Sequence, residues 1–203
     1  MKTLVENQTR KAEYSVNEIF LNRWSPRAMS GEEINDAELM TLFEAAKWAP
    51  SSGNNQPWRF LYAKRNTEHW EMFVSFLVEG NKVWAKNGAA LVVVVSKNML
   101  DYNGKPAKTH SYDTGAAWGS LALQGSLSGL VVHGMQGFDY DKAKNLLEIP
   151  DDYTVEAMAV IGKHGKKEDL PPALQERESP SGRKKLSEIA FEGKFVRSDA
   201  AKI

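Results

Sequence analysis

Ala89-Ala90-Leu91-Val92-Val93-Val94-Val95-Ser96 is the stretch on which the fold turns. An unbroken apolar run of this length, with four consecutive β-branched residues, reads as a strand buried on both faces. Such a strand belongs at the centre of a sheet. Working outward, further strands are expected at Arg59 to Ala63, Leu130 to His133 and Thr154 to Ile161. Between them, Leu39, Met40, Leu42, Phe43, Ala46 and Lys47 recur at helical spacing after a cap at Asn35 or Asp36, and that helix ends before Pro50. Thr67 to Val78 reads as an aromatic-rich helix, and Asp139 caps another that runs through Leu147. Asp113 to Gly129 holds Gly115, Ala116, Ala117, Gly119, Ser120, Ala122, Gly125 and Ser126, so many small residues that a buried helix in close contact with another helix is expected. Trp48 and Trp58 are expected in the core. Helices and strands intermix without regular βαβ alternation, which predicts an α+β fold: a mixed, mainly antiparallel sheet flanked by helices.

Length and composition bound the rest. At 203 residues and 42% hydrophobic content the chain suits a single domain, 17–203, behind a polar extension at 1–16. Lys163 to Pro180 is highly charged and reads as a surface excursion, and Arg183 to Ile189 regains a strand-like or docking pattern; together, about 163–203 form a C-terminal arm. Lys plus Arg balance Asp plus Glu at 26 each, so no basic field favours nucleic acid. The absence of Cys excludes disulfides and thiolate-held metal clusters and leaves any redox chemistry to a bound organic group or to a metal on other ligands. His69, His110, His133 and His164 lack metal-binding spacing, so no metal site is expected. The longest apolar stretch, Gly88 to Val95, is far too short to span a bilayer, and the first residues lack a leader's apolar run; a cytoplasmic protein without a membrane partner is the expectation.

Two polar segments stand out. Arg23-Trp24-Ser25-Pro26-Arg27 brackets a hydroxyl with two guanidinium groups, a set suited to a phosphate monoester, though a solvated basic turn has the same composition. Pro50-Ser51-Ser52-Gly53-Asn54-Asn55-Gln56-Pro57-Trp58 lies between a helix and a strand. Its side chains either satisfy one another or meet a ligand. Gly134-Met135-Gln136-Gly137 is a turn whose glycines permit close backbone approach. His110 and Tyr112 precede the small-residue helix, and they either pack there or reach a substrate.

In this order and at these separations, Arg-x-Ser-x-Arg at 23–27 and the Ser-Ser-x-Asn-x-Gln-Pro-Trp-like loop resemble the nitroreductase family of FMN-dependent oxidoreductases. The resemblance continues through Gly80-Asn81, the small-residue helix, Gly134-Met135-Gln136-Gly137-Phe138-Asp139 and Arg183-Lys184-Lys185-Leu186, and covers about Ile19 to Ile189. It implies a homodimer built around the long central helix, with FMN at the interface and the C-terminal arm around the partner. Arg23, Trp24, Ser25, Arg27 and Arg183 would surround the phosphate, with Lys184 standing in where Ser181 replaces a family lysine. Ser51, Ser52 and Asn54 would lie against the ring or ribityl chain, and Asn81 at its pyrimidine edge. Gly134, Met135, Gln136 and Gly137 would offer backbone N–H groups to N5 and O4, and Arg27 would stabilise the reduced ring. The chemistry is then the cofactor's, with NADH or NADPH as donor and flat nitroaromatics or quinones as acceptors in ping-pong order. Reductive dehalogenation, nicotinamide-independent dehydrogenation and a non-catalytic flavin module are the alternatives on the same scaffold.

Overall fold

The computed structural model describes residues 10–197. Four strands form one sheet: β1 (Trp58–Lys64), β2 (Ala90–Lys97), β3 (Leu130–Met135) and β4 (Tyr153–Lys163), in the order β1-β2-β4-β3. Every pairing in this sheet is antiparallel, so the α+β architecture holds with no parallel component among the described residues. Seven helices accompany the strands: α1 (Ile19–Asn22), α2 (Asp36–Lys47), α3 (Trp70–Phe76), α4 (Glu79–Ala85), α5 (His110–Leu127), α6 (Tyr140–Leu146) and α7 (Pro172–Gln175).

The valine run is central, between β1 and β4, and it feeds two cores at once. Leu91, Val93 and Val95 pack with Trp70, Phe73, Phe76 and Trp84 of α3 and α4. Val92 and Val94 turn the other way, onto Leu39 and Leu42 of α2 and Ala117 and Leu121 of α5. Burial on both faces is what permits so continuous an apolar sequence, each such side chain contributing roughly 1.5–3 kcal/mol of transfer free energy.

Along β4 the alternation breaks. Val94 pairs with Ala157 but Val95 pairs with Val155, so Glu156 is an inserted residue in a β-bulge. Met158 and Val160 belong to the core under α3, and Val155 packs against that same core, a change of parity that the bulge accounts for.

The α2 cap is reciprocal: Asn35 Oδ1 accepts from Glu38 N–H at 2.9 Å, and Glu38 Oε2 accepts from Asn35 N–H at 2.8 Å. At the other end of α2, Trp48 corrects an expectation. It is 77% exposed rather than core, with its indole N–H on Glu44 and the Lys47 ammonium 5.4 Å from the ring centroid, whereas Trp58 is buried as anticipated.

The small-residue helix packs against another helix, α2, as expected, with Ala117 and Leu121 sharing a core with Leu39 and Leu42. It also approaches the sheet closely: its buried face includes Ala122 and Gly125, and a Cβ on Gly125 would lie 2.4 Å from Val132 Cγ2. Gly115 and Gly119 look onto open space. Helix α4 was not foreseen, and Asn81 sits in its first turn.

The charged excursion carries α7 and buries both Leu170 and Glu178, so it is not simply solvated. Arg183 to Ile189 forms no strand; Leu186–Glu188 is a single 3-10 turn, and Leu186 N–H donates to Glu13. Residues 10–16 of the polar extension have no helix or strand, and 1–9 lie outside the described residues. Among the described residues, no helix is long and apolar enough to cross a membrane.

Candidate functional site

Arg23 follows the end of α1 in extended conformation, and its guanidinium donates to Ser25 Oγ at 3.3 Å. The segment is held from two sides. Glu178 Oε1 accepts from Arg27 N–H and Ala28 N–H, both at 2.8 Å, and His133 of β3 contacts the Pro26 carbonyl through Nδ1 at 2.9 Å. Arg10 ties the N-terminal and C-terminal segments to it, donating to the carbonyls of Leu21, Arg23 and Ser181. The result is a cavity of about 310 Å³ lined by Arg10, Arg23, Trp24, Ser25, Arg27, His133, Arg177, Ser179, Ser181 and Arg183.

No carboxylate is among those lining residues. Burial, and then the Arg183 charge, hold the Arg23 guanidinium below its ordinary pKa, and Arg10 is lowered by burial, Arg183 and Arg23 in turn. Partly buried like charges gathered with no carboxylate among the lining side chains are the electrostatic mark of a site for an anion. Burial also lowers the pKa of His133, with the Pro26 carbonyl opposing and the Arg27 charge assisting. Its imidazole packs against the Trp84 ring at 4.6 Å between centroids.

Arg23 and Ser25 also line a second cavity of about 750 Å³, so the two meet at that pair. Its walls are Trp118 and the glycine face of α5 on one side, and Gly134, Met135, Gln136 and Met158 of the sheet on the other. Gly134 is required here, because a Cβ would stand 2.9 Å from the Trp118 ring. Asn81 Nδ2 donates to the Gly137 carbonyl at 2.9 Å, which fastens α4 to the end of the Gly134–Gly137 turn and commits one of its amide donors.

The structure therefore brings Arg23, Trp24, Ser25, Arg27 and Arg183 to one cavity and Gly134, Met135 and Gln136 to the adjoining one. Lys184 is exposed and lines neither. The polar loop lies elsewhere on the chain. Gly53, Asn54, Asn55 and Gln56 line a separate cavity of about 390 Å³ with Arg59, Asp101 and Tyr102. Within the loop, Ser51 Oγ accepts from Gln56 N–H, and Ser52 N–H donates to Asp113 at the start of α5. Asn54 and Gln56 hold positive φ angles of 52° and 46°, a conformation that costs non-glycine residues energy. Asn55, not among the expected site residues, is the hub: its amide donates to the Met99 carbonyl and accepts from Asp101 N–H.

Tyr112 is exposed and away from both main cavities, but His110 meets Ser96, Ser111 and Glu156 at the rim of the larger one. Reading the sequence missed Arg10, Arg177, Glu178 and Glu156. Arg10, Arg177 and Glu178 lie in segments whose charge resembles that of any solvated surface, whereas Glu156 is a lone carboxylate within the apolar strand, the one signal that could have marked it.

The sequence model of the nitroreductase family matches residues 21–71, which contain both polar segments. A crystal structure of an oxidoreductase containing FMN superposes with a TM-score of 0.90 at 46% identity, covering 95% of this chain and 98% of that one. A Streptomyces coelicolor protein whose name proposes an NADH dehydrogenase/NAD(P)H nitroreductase is 35% identical over 77 residues, 38% of this chain and 37% of its own length. The chain belongs to the nitroreductase family. Its fold extends to distant members: a nitroreductase family protein from Streptococcus pneumoniae has a TM-score of 0.69 at 19% identity, over 86% of this chain and 98% of that one. The family is one of oxidoreductase enzymes.

Proposed function

We propose that this chain is an FMN-dependent NAD(P)H oxidoreductase that reduces flat, electron-poor acceptors such as quinones and nitroaromatics. The observation that carries the reading is the meeting, at Arg23 and Ser25, of a carboxylate-free arginine cavity with a larger, mainly apolar one. A phosphate monoester attached to a flat ring has that division of chemistry. Arg23, Ser25, Arg27 and Arg183, joined by Arg10 and Arg177, would hold the phosphate by charge-assisted hydrogen bonds and relieve their mutual repulsion. Gly134, Met135 and Gln136 would present backbone to the ring against Trp118, with Asn81 and Gly137 behind them. The likeness to an FMN-containing oxidoreductase and to a relative named for NAD(P)H-linked reduction supports the same reading.

Bound FMN supplies a ring that takes a hydride from the nicotinamide and passes it to the acceptor. The chain's own contribution is orientation, exclusion of water by the apolar walls, and positive charge beside the ring from Arg27. Donor and acceptor would use the same open face in turn, which gives ping-pong kinetics. Ser51, Ser52 and Asn54, remote from the arginine cavity on one chain, would join it from a second copy in a homodimer.

The test is to compare FMN with riboflavin, which lacks the phosphate. FMN should bind at least about a hundredfold more tightly, and Arg23→Gln should weaken FMN alone by about 10–100-fold, the value of one charge-assisted hydrogen bond. Equal affinity for the two flavins would refute the phosphate assignment.

A further inference from the structure

The β-bulge leaves Glu156 unpaired on β4 and brings its carboxylate to the N-terminal turn of α5, at the rim of the larger cavity. Oε1 accepts from Ser96 Oγ at 2.5 Å and from Ser111 Oγ at 2.6 Å. A hydroxyl has one proton to give, and that of Ser96 goes to Glu156. The 2.7 Å contact between Ser96 Oγ and His110 Nδ1 therefore requires the imidazole to be the donor. A continuous path runs from His110 Nδ1–H through the fully buried Ser96 hydroxyl to Glu156, whose Oε2 takes no protein donor among the described residues. The His110 and Glu156 side chains keep about a fifth of their surface open, 22% and 23%. One end of the path meets solvent and the other meets the cavity.

The other ionisable groups on the three elements that converge here are turned elsewhere. Lys97 of β2 pairs with Asp101, Asp113 of α5 accepts from Thr109 Oγ1 and Ser52 N–H, Tyr112 of α5 is exposed, Tyr153 of β4 lies under the Arg59 guanidinium, and Lys163 of β4 pairs with Glu32.

We propose that Glu156 is the proton donor to the acceptor, recharged from His110 through Ser96; the inference rests on the oxidoreductase reading above. Reduction of a quinone to its hydroquinone consumes two electrons and two protons. NAD(P)H provides both electrons and one proton as hydride and leaves as NAD(P)+, so one further proton is needed. An O–H bond forms at the quinone oxygen as the carboxyl O–H of Glu156 breaks. The carboxylate regains its proton from the Ser96 hydroxyl, which takes the Nδ1 proton of the protonated imidazole, and His110 is reprotonated from solvent. Glu156 is the catalytic residue, and Ser96, Ser111 and His110 position and recharge it. A purely structural cluster that pins α5 to the sheet would work as well with the isosteric amide, and that difference is testable.

FMN-loaded wild type, Glu156→Gln, Glu156→Asp and His110→Gln are compared by anaerobic stopped flow, from about pH 5.5 to 9, the range in which histidine titrates. Bleaching by NADH or NADPH and recovery with a substituted benzoquinone are timed separately. Glu156→Gln should slow the recovery at least about tenfold and flatten its pH profile, the loss falling on the quinone step and not on the nucleotide step. Glu156→Asp should restore part of the rate. His110→Gln, which leaves both serine bonds to Glu156 in place, should show the same selective loss. Imidazole ¹⁵N NMR gives a readout independent of turnover: His110 should carry its proton on Nδ1, and a proton on Nε2 alone would contradict the path. Wild-type recovery and pH profile in Glu156→Gln, or equal loss in both steps, would overturn the proposal and make the cluster a structural anchor. Protein that takes up no FMN, or whose flavin neither nucleotide bleaches, would overturn the underlying reading and this proposal with it.

Discussion

Glu178 shows how one side chain can shape a site from outside it. Its carboxylate is buried, one oxygen accepts the backbone N–H groups of Arg27 and Ala28, and the other has no protein partner among the described residues. Replacing it with Ala strands both donors, so Glu178→Ala should cost about 3 kcal/mol in urea unfolding and weaken phosphate binding through loss of position. His133 sets a pH limit on the same site. Its pKa is lowered by burial in the folded protein, so the unfolded chain binds the proton more readily. Stability from this group is complete above the ordinary histidine value of about 6.5 and declines as pH falls below it toward the folded value. Melting temperature in phosphate-free buffer should therefore fall as pH drops below about 6.5, and His133→Gln should remove part of that slope. A slope unchanged in the variant would remove His133 from the account.

At the scale of elements, the sequence was most legible where one residue type repeats. The valine run placed the central strand within a residue of its observed start, and the other strands were found at their cores, because burial on two faces leaves an unbroken apolar signature. Helix α4 was hidden because Glu79 to Ala85 begins with Glu-Gly-Asn, a turn-like composition, and buries only Trp84 and Ala85. Trp48 misled because an aromatic at a helix end is usually packed, and here the chain supplies a salt-bridged pair, Glu44 and Lys47, for it to lie against instead. The Arg23–Arg27 and Gly134–Gln136 groups could be read in advance from their motifs. The Arg23–Arg27 segment is held by Arg10 and Glu178, through contacts between residues as much as 171 positions apart that no local pattern encodes. The joint between α5 and β3 gives an element-scale prediction. Gly134→Ala drives a methyl group into the Trp118 ring, so the ring must swing into the larger cavity. The variant should lose about 1–3 kcal/mol of stability by urea unfolding, as overpacking does, and bind FMN less tightly.

In the homodimer proposed above, two chains would join what one keeps apart. The arginine cavity and the strained polar loop line separate cavities, and Phe20, Trp48, Tyr112 and Leu127 are exposed. A two-fold pairing that covers such residues would be self-complementary and would bring the loop of one copy to the cavity of the other. The central claim, that these parts exist to run nicotinamide-driven flavin chemistry, is tested most directly by one spectrum. Purified, desalted protein loaded with FMN is mixed anaerobically with NADH and, in a second cuvette, with NADPH, and a quinone is then added. The account predicts a flavin band that bleaches promptly with at least one nucleotide and returns with the quinone. A band that neither nucleotide bleaches, or a protein that holds no flavin, would contradict it.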